Sequence, residues 1–107
     1  MKGGETMPAS VQSVIKEISY YLRSNGTDNK EWFVGRSYDP LETIITKHCV
    51  DEAKDLWIYR ECLTSTDAEN VLRYFTQTLK CDGDRNTETP SDDKFIYVYK
   101  KNNRTNP

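Results

Sequence analysis

The sequence predicts an α/β (α+β) fold in which a small three-stranded sheet carries three helices, in the order α-β-α-β-α-β. Apolar residues recur at three- and four-residue steps in three segments, whereas β-branched and aromatic residues concentrate in three others. The two kinds of segment alternate along the chain, which favours helices packed on one sheet. Because 107 residues are the size of one ordinary domain, residues 1–107 are expected to form a single domain.

The first helix and the first strand follow from the residue pattern. Apolar side chains at helical spacing predict an amphipathic helix over residues 9–24, and Asn25-Gly26 is a typical helix end. Residues 31–37 have the aromatic and β-branched content of a strand, with Gly35 near its end.

A second helix is predicted to begin after Asp39. This residue can cap a helix that has Pro40 at its first position and Glu42 in its first turn, where a carboxylate meets the positive end of the helix dipole. The helix is expected to end near His48, with the thiol of Cys49 buried beside it.

The clearest helix start in the sequence follows a second predicted strand, residues 56–62. Ser65 is expected to cap a third helix, because Asp67 and Glu69 come in its first turn and apolar residues follow at helical spacing. This helix is therefore predicted to run from Ser65 to about Leu79.

The remaining segments are a loop, a last strand and two chain ends. Residues 82–93 contain no large apolar side chain and are predicted to form a polar loop. Residues 94–100 suit a strand with both faces at least half covered. Residues 1–8 and 101–107 flank the predicted elements, so both are expected to fray.

Composition disfavours several classes of function. With 15 basic and 17 acidic residues the net charge is −2, so no strong field attracts nucleic acid, although a local basic patch remains possible. Three widely spaced cysteines and one histidine fit neither a disulfide framework nor a structural zinc site, and we expect no metal and no cofactor. No segment has the apolar length of a signal peptide or a membrane span, so a cytoplasmic location is expected.

Aromatic residues are numerous for a chain of this size. Most should lie in the core, but aromatic side chains on an exposed strand face, such as Tyr97 and Tyr99, would form a stacking or protein-binding surface. The turn from Arg36 to Asp39, which includes Tyr38, is a second candidate for binding.

Part of the chain resembles a nuclease family. The resemblance lies in the run WFVGRSYDP, followed by a helix that ends in histidine, which looks like the "YIG" half of the GIY-YIG endonucleases. The later run LWIYREC with its serine-led helix is similar to that family's following strand and third helix. Over residues 31–101 the order of short motifs also resembles small uncharacterised bacterial or phage-type proteins.

The resemblance does not extend to the catalytic groups of that family. Its second motif has a tyrosine that helps activate water, the next helix an arginine that balances phosphate charge, and the third helix a glutamate that holds a divalent metal. The matching positions here are Phe33, Thr43 and Leu72. Because phosphodiester cleavage needs a cation and a way to deprotonate water, the resemblance implies a scaffold without catalytic residues.

Three functions follow from these observations, in order of preference. The first is a non-catalytic binding module that acts on a protein partner, for which a small phage or mobile-element inhibitor is one example. Its candidate binding residues are Arg36, Tyr38, Asp39, His48, Arg60, Tyr97 and Tyr99.

The two alternatives use charged residues. A degenerate GIY-YIG-like protein could bind nucleic acid through basic side chains: Arg36, Lys47, Lys54, Arg60 and Arg73. An enzyme could instead have an unrecognised site around His48, with Asp39, Glu42 and Glu61 as its acidic groups.

Overall fold

In the computed structural model, which describes residues 3–26, 28–83 and 93–107, strands and helices alternate along the chain. The strands are β1 (Gly3–Ala9), β2 (Trp32–Ser37), β3 (Trp57–Cys62), β4 (Asp82–Gly83) and β5 (Phe95–Lys100). The helices are α1 (Val11–Asn25), α2 (Pro40–Glu42, continued by a π-helical turn at Thr43–Lys47) and α3 (Ser65–Arg73, continued by a π-helical turn at Tyr74–Thr78). No helix in these described ranges has the length and apolar character needed to cross a membrane.

The sheet has five strands in the order β1-β3-β5-β2-β4, so the prediction of three strands is wrong. Strand β5 is antiparallel to both of its neighbours, while β1 pairs in parallel with β3 and β4 in parallel with β2. The three predicted strands form the centre. The two extra strands add to its edges, where the unpaired backbone groups of β3 and β2 can accept another strand.

The extra strands come from segments without a strand signal in the sequence. Strand β1 occupies most of residues 1–8, which were expected to fray. Its sequence GGETMPA has one β-branched residue, a threonine, and no alternation of apolar and polar residues. Strand β4 takes the first two residues of the predicted loop 82–93. Residues 84–92 of that loop, like residues 1 and 2, lie outside the described residues.

The direction of the crossovers determines which face each helix covers. From β1 to β2 and from β3 to β4 the chain moves one way across the sheet, and from β2 to β3 it moves back. Since crossovers between parallel strands are right-handed, opposite directions require opposite faces. Accordingly, α1 and α3 pack on one face of the sheet and α2 packs on the other.

Alternate residues of the strands therefore supply two separate cores. The first core joins the sheet to α1 and α3: Val14, Ile18, Tyr21, Leu22, Trp32, Val34, Ile58, Cys62, Ala68, Val71, Leu72, Phe75, Cys81, Ile96 and Val98. The second core joins the sheet to α2: Phe33, Ile44, Val50, Trp57, Tyr97 and Tyr99. Burial on both faces explains why the central strand, β5, is almost continuously apolar and aromatic in sequence.

Each helix begins just after a parallel strand ends, so all three helix starts lie at one edge of the sheet. The side chain of Asp39 accepts from the N–H of Glu42, which confirms it as the cap of α2. The cap of α3 is Thr64, whose hydroxyl accepts from the N–H of Asp67 at 3.0 Å, so the assignment of Ser65 as the cap is one residue late.

Helices α2 and α3 end in the same way. A π-helical turn in each is closed by a residue with positive φ, Cys49 at 59° and Lys80 at 63°. The next N–H then reaches back six residues, from Val50 to the carbonyl of Ile44 and from Cys81 to that of Phe75, both at 2.9 Å. The left-handed backbone turns the side chain of Cys49 outward, so the expectation that this thiol is buried is wrong.

Replacing Lys80 with glycine should raise the free energy of unfolding. A residue with a Cβ in the left-handed conformation costs about 1–2 kcal/mol of stability, which glycine avoids. The greater freedom of glycine in the unfolded chain offsets roughly 0.5–1 kcal/mol of this gain. We expect a net gain of up to about 1 kcal/mol in urea unfolding. The matched control is Lys54→Gly, an exposed lysine without positive φ, which should lose stability. Equal losses in both variants would contradict the argument.

Candidate functional site

His48 lies in a buried hydrogen-bond network on the α2 face of the sheet. Its ring is 2% exposed, and Nε2 is 2.9 Å from the hydroxyl of Tyr97. Nδ1 is 2.7 Å from the carbonyl oxygen of Asn106 and 3.0 Å from the hydroxyl of Tyr99. Because a carbonyl oxygen can only accept, Nδ1 carries the proton, and in the neutral ring Nε2 accepts from Tyr97.

Aromatic rings enclose this network. The ring centroid of Phe33 is 4.8 Å from that of His48 and 5.4 Å from that of Tyr99. Gly35 faces Tyr97 across the β2–β5 ladder, and a Cβ at Gly35 would overlap the tyrosine ring. The glycine thus makes room for the ring whose hydroxyl reaches His48.

Tyr97 and Tyr99 are buried, with 1% and 0% exposed surface, so the expectation of an exposed aromatic sheet face is wrong. Helix α2 and the residues that follow it cover that face. Burial, together with the nearby charges of Asp82 and Cys49, also raises the pKa of Tyr99. Its hydroxyl therefore stays protonated at neutral pH.

Residues 101–107 are held against the same face, contrary to the expectation that they fray. The N–H of Asn106 donates to the carbonyl of His48 at 2.8 Å. Asp55, whose side chain is 3% exposed, accepts from Arg104 Nη2 at 2.6 Å and from Asn102 Nδ2 at 3.0 Å. Two buried polar residues, His48 and Asp55, thus anchor the segment.

The environment of Asp55 favours its ionised form. Burial by itself raises the pKa of this carboxyl group, but the N–H of Asp51 and the side chains of Arg104 and Asn102 outweigh it and hold the pKa below its usual value. The N–H of Asp51 donates to Oδ2 at 2.7 Å, so both carboxylate oxygens are engaged.

The acidic groups proposed for an enzyme site do not surround His48. Asp39 caps α2, and Glu61 pairs with Lys94 at 3.7 Å near the far end of β3. Both ring nitrogens of His48 are engaged in the core. The arrangement thus holds residues 101–107 in place and leaves no ring nitrogen open to a substrate.

At the turn from Arg36 to Asp39, two candidate residues, Tyr38 and Asp39, are exposed to solvent and Arg36 is buried. Arg36 is 7% exposed, donates from Nη1 to the carbonyl of Ser65 at 3.2 Å and lies 3.9 Å from Glu69. Tyr38 is 68% exposed. The guanidinium of Arg36 therefore links β2 to α3, and Tyr38 and Asp39 are exposed side chains of the turn.

Arg60 lies at a separate place, in a groove of about 750 Å³ that runs along α1 above β3. Arg60 Nε donates to Glu17 Oε1 at 2.6 Å, and Nη1 donates to the carbonyl of Tyr59 at 2.8 Å. Ile58 contributes to the floor, and Tyr20 stands on the wall with 68% of its surface exposed. The volume of this groove lies within the range of ligand-binding pockets.

The groove is cationic although the chain as a whole is acidic. Lys16 and Arg23 line it from α1 and form no ion pair with any side chain that the structure describes. Arg60 is balanced by Glu17. Among the described side chains, the two positive charges on the groove wall thus have no ion-pair partner.

Tyr21 lines the inner wall of the groove. Its hydroxyl is buried and has no partner at hydrogen-bond geometry in the described chain, although it lies near the backbone of Trp57. Burial raises the pKa of Tyr21, and that backbone contact only partly offsets the effect. Among the described residues the hydroxyl therefore has no hydrogen bond that meets the geometric criteria to replace the water that it loses on folding.

The positions that match the nuclease motifs are spread over both faces of the sheet. Phe33 packs against His48 in the second core, while Leu72 lies in the first core. The hydroxyl of Thr43 is 2.6 Å from that of Ser37 and donates to the carbonyl of Asp39. These side chains do not form a common pocket.

The described ranges contain no cluster of metal ligands, and two of the three cysteine thiols are buried. No three His, Cys, Asp or Glu side chains there come together as metal ligands. Burial, with the nearby charges of Asp67 and Glu61, raises the pKa of Cys62 to about 11, and burial raises that of Cys81 to about 11. Both thiols are therefore protonated at neutral pH.

No protein-family model, curated protein or solved structure matches this chain. The resemblance to the GIY-YIG endonucleases accordingly stays a prediction.

Of the predicted site residues, the structure brings together His48, Tyr97 and Tyr99, and it separates Arg60 from Arg36. Sequence reasoning missed Lys16, Tyr20 and Arg23. Their spacing places them near one another on successive turns of α1, and an aromatic residue on the polar side of an amphipathic helix was the available signal. Asp55 and Arg104 carried no such signal, because they are distant in sequence.

Two tyrosine-to-phenylalanine substitutions should have opposite effects on stability. Tyr97→Phe leaves the buried Nε2 of His48 without its donor and should lower the free energy of unfolding by about 1–3 kcal/mol. Tyr21→Phe removes a buried hydroxyl without a well-formed hydrogen bond and should leave stability unchanged or raise it by up to about 1 kcal/mol. Urea unfolding measures both. A loss in Tyr21→Phe as large as that in Tyr97→Phe would show that the Tyr21 hydroxyl is well bonded.

Asp55 should make stability depend on pH in acid. Its folded pKa lies below its unfolded value, so its contribution is present above about pH 4 and is lost as the pH falls through the folded pKa. The free energy of unfolding of Asp55→Asn should therefore fall less than that of the wild type over this range. Glu52→Gln, at an exposed position in the same loop, should follow the wild type. Parallel curves for all three proteins would rule out the linkage.

Proposed function

We propose that this chain is a non-catalytic α/β binding module whose partner is a protein, and that the groove along α1 is the surface it uses. The observation that carries the proposal is the contrast between two regions. The His48 network is closed and internally bonded. The groove is open, and its wall has a large exposed tyrosine and two cations that form no ion pair with a described side chain.

The composition of the groove supports a protein partner. Tyrosine and arginine are enriched at the centres of protein interfaces, because each combines a large apolar surface with a polar end. Tyr20 gains little from packing in the free chain, so covering it would remove apolar surface from water.

The basic residues support nucleic-acid binding less well. Three of the five predicted for that role form internal ion pairs: Arg60 with Glu17, and Arg36 and Arg73 with the shared carboxylate of Glu69. A phosphate backbone would have to compete with these carboxylates, and the gain from counterion release would be correspondingly small.

A photo-reactive residue should locate the partner. With p-benzoylphenylalanine in place of Tyr20, illumination of cells that naturally produce the chain should give a covalent adduct with a protein. Tyr38 is the matched control, because it has the same exposed fraction of 68% and lies at the carboxyl edge of the sheet after β2. The same replacement there should give no such adduct.

Other results would overturn the proposal. An adduct formed at position 38 but not at position 20 would move the binding surface to the turn after β2. Adducts with nucleic acid at position 20 would replace the protein partner with a nucleic acid. The absence of adducts at both positions would count against a binding module altogether.

A further inference from the structure

We infer that the groove along α1 binds an acidic segment of the partner protein, which places carboxylates against Lys16 and Arg23 and an apolar or aromatic side chain against Tyr20. The inference rests on the proposed function and specifies the chemistry of the partner. The charge of the groove and its size support this assignment.

The two cations on the wall set the charge of the ligand. Lys16 and Arg23 are exposed side chains seven residues apart on α1, which places them on the same side of the helix, about two turns or 10 Å apart. An extended peptide spans that distance in about three residues. Two carboxylates at such a spacing could therefore pair with both cations, whereas a basic segment would be repelled.

The ion pair between Arg60 and Glu17 holds the side chains at the floor of the groove in place. Arg60 is held from two sides, by Glu17 and by the carbonyl of Tyr59, and its side chain is only 15% exposed. Because these side chains are already held, the floor needs no reordering when a ligand binds, which lowers the cost of binding. Glu17, which is 47% exposed, neutralises Arg60, so the net positive charge of the described lining side chains comes from Lys16 and Arg23.

The apolar part of the groove sets the other requirement. Tyr20 is exposed beside the buried ring of Tyr21, and Ile58 lies at the floor. A volume of about 750 Å³ is enough for a few side chains of a peptide. An acidic segment with an aromatic residue would therefore bind more tightly than one that contains glutamate alone.

The probe is a fluorescein-labelled copolymer of glutamate and tyrosine, added to the full chain. We expect its fluorescence anisotropy to rise on binding, the affinity to fall as salt is raised, and NMR shift changes to concentrate on α1 and β3. The double variant Lys16→Glu/Arg23→Glu should bind about tenfold more weakly or worse. The neutral double variant Lys16→Gln/Arg23→Gln should bind the copolymer with intermediate affinity. This result would show that the loss follows the charge of the groove and does not come from unfolding.

The matched control changes two exposed lysines outside the groove. Lys47→Glu/Lys54→Glu makes the same change in net charge, so an effect of total charge would appear equally in both double variants. Equal weakening by the two variants overturns the inference, as does tighter binding of a lysine–tyrosine copolymer. Stronger binding of a short DNA duplex at the same salt would assign the groove to nucleic acid. Self-association by sedimentation, without copolymer binding, would assign it to a second copy of the chain.

The photo-reactive residue at position 20 separates the two proposals. If the Lys16→Glu/Arg23→Glu change leaves the yield of the protein adduct unaltered, the groove binds a protein but not through acidic groups. If no adduct forms in either background, the proposed function fails as well.

Discussion

Strand β5 is the constraint on which the rest of the structure depends. It is the central strand of the sheet, antiparallel to both neighbours, and it keeps β2 and β3 apart. Its alternate residues feed both cores, with Ile96 and Val98 on the side of α1 and α3 and Tyr97 and Tyr99 on the side of α2. Because every side chain from Ile96 to Tyr99 is buried, a shift of register by one residue would exchange apolar and hydroxyl-bearing side chains between the cores.

The polar groups of β5 explain why His48 is internal. A buried tyrosine hydroxyl needs a hydrogen-bond partner, and the imidazole supplies one at Nε2 for Tyr97, while Nδ1 contacts Tyr99 and bonds to the backbone of Asn106. The network thereby stabilises the packing of α2 and of residues 101–107 together. Asp55 and Arg104 form the second anchor of the same segment. Residues typical of catalysis are in this way used for structure.

The opposite face of the sheet leaves more surface open. Helix α1 buries one stripe of side chains and leaves beside it a groove lined by Tyr20, Lys16 and Arg23. The ion pair between Arg60 and Glu17 joins the helix to β3 under this groove. Structural and candidate binding roles are thus divided between the two faces, which allows the groove to be altered without disturbing the His48 network.

The sequence by itself determined the three helices, the three central strands and the cap at Asp39, because periodicity and capping are local properties of the chain. Only the tertiary structure decided the two edge strands, the burial of Tyr97 and Tyr99 and the anchoring of residues 101–107. Those features depend on groups far apart in the chain, such as His48 and Asn106, which are 58 positions apart. No local pattern of residues records such a pairing, since it forms only when the sheet brings the two segments together.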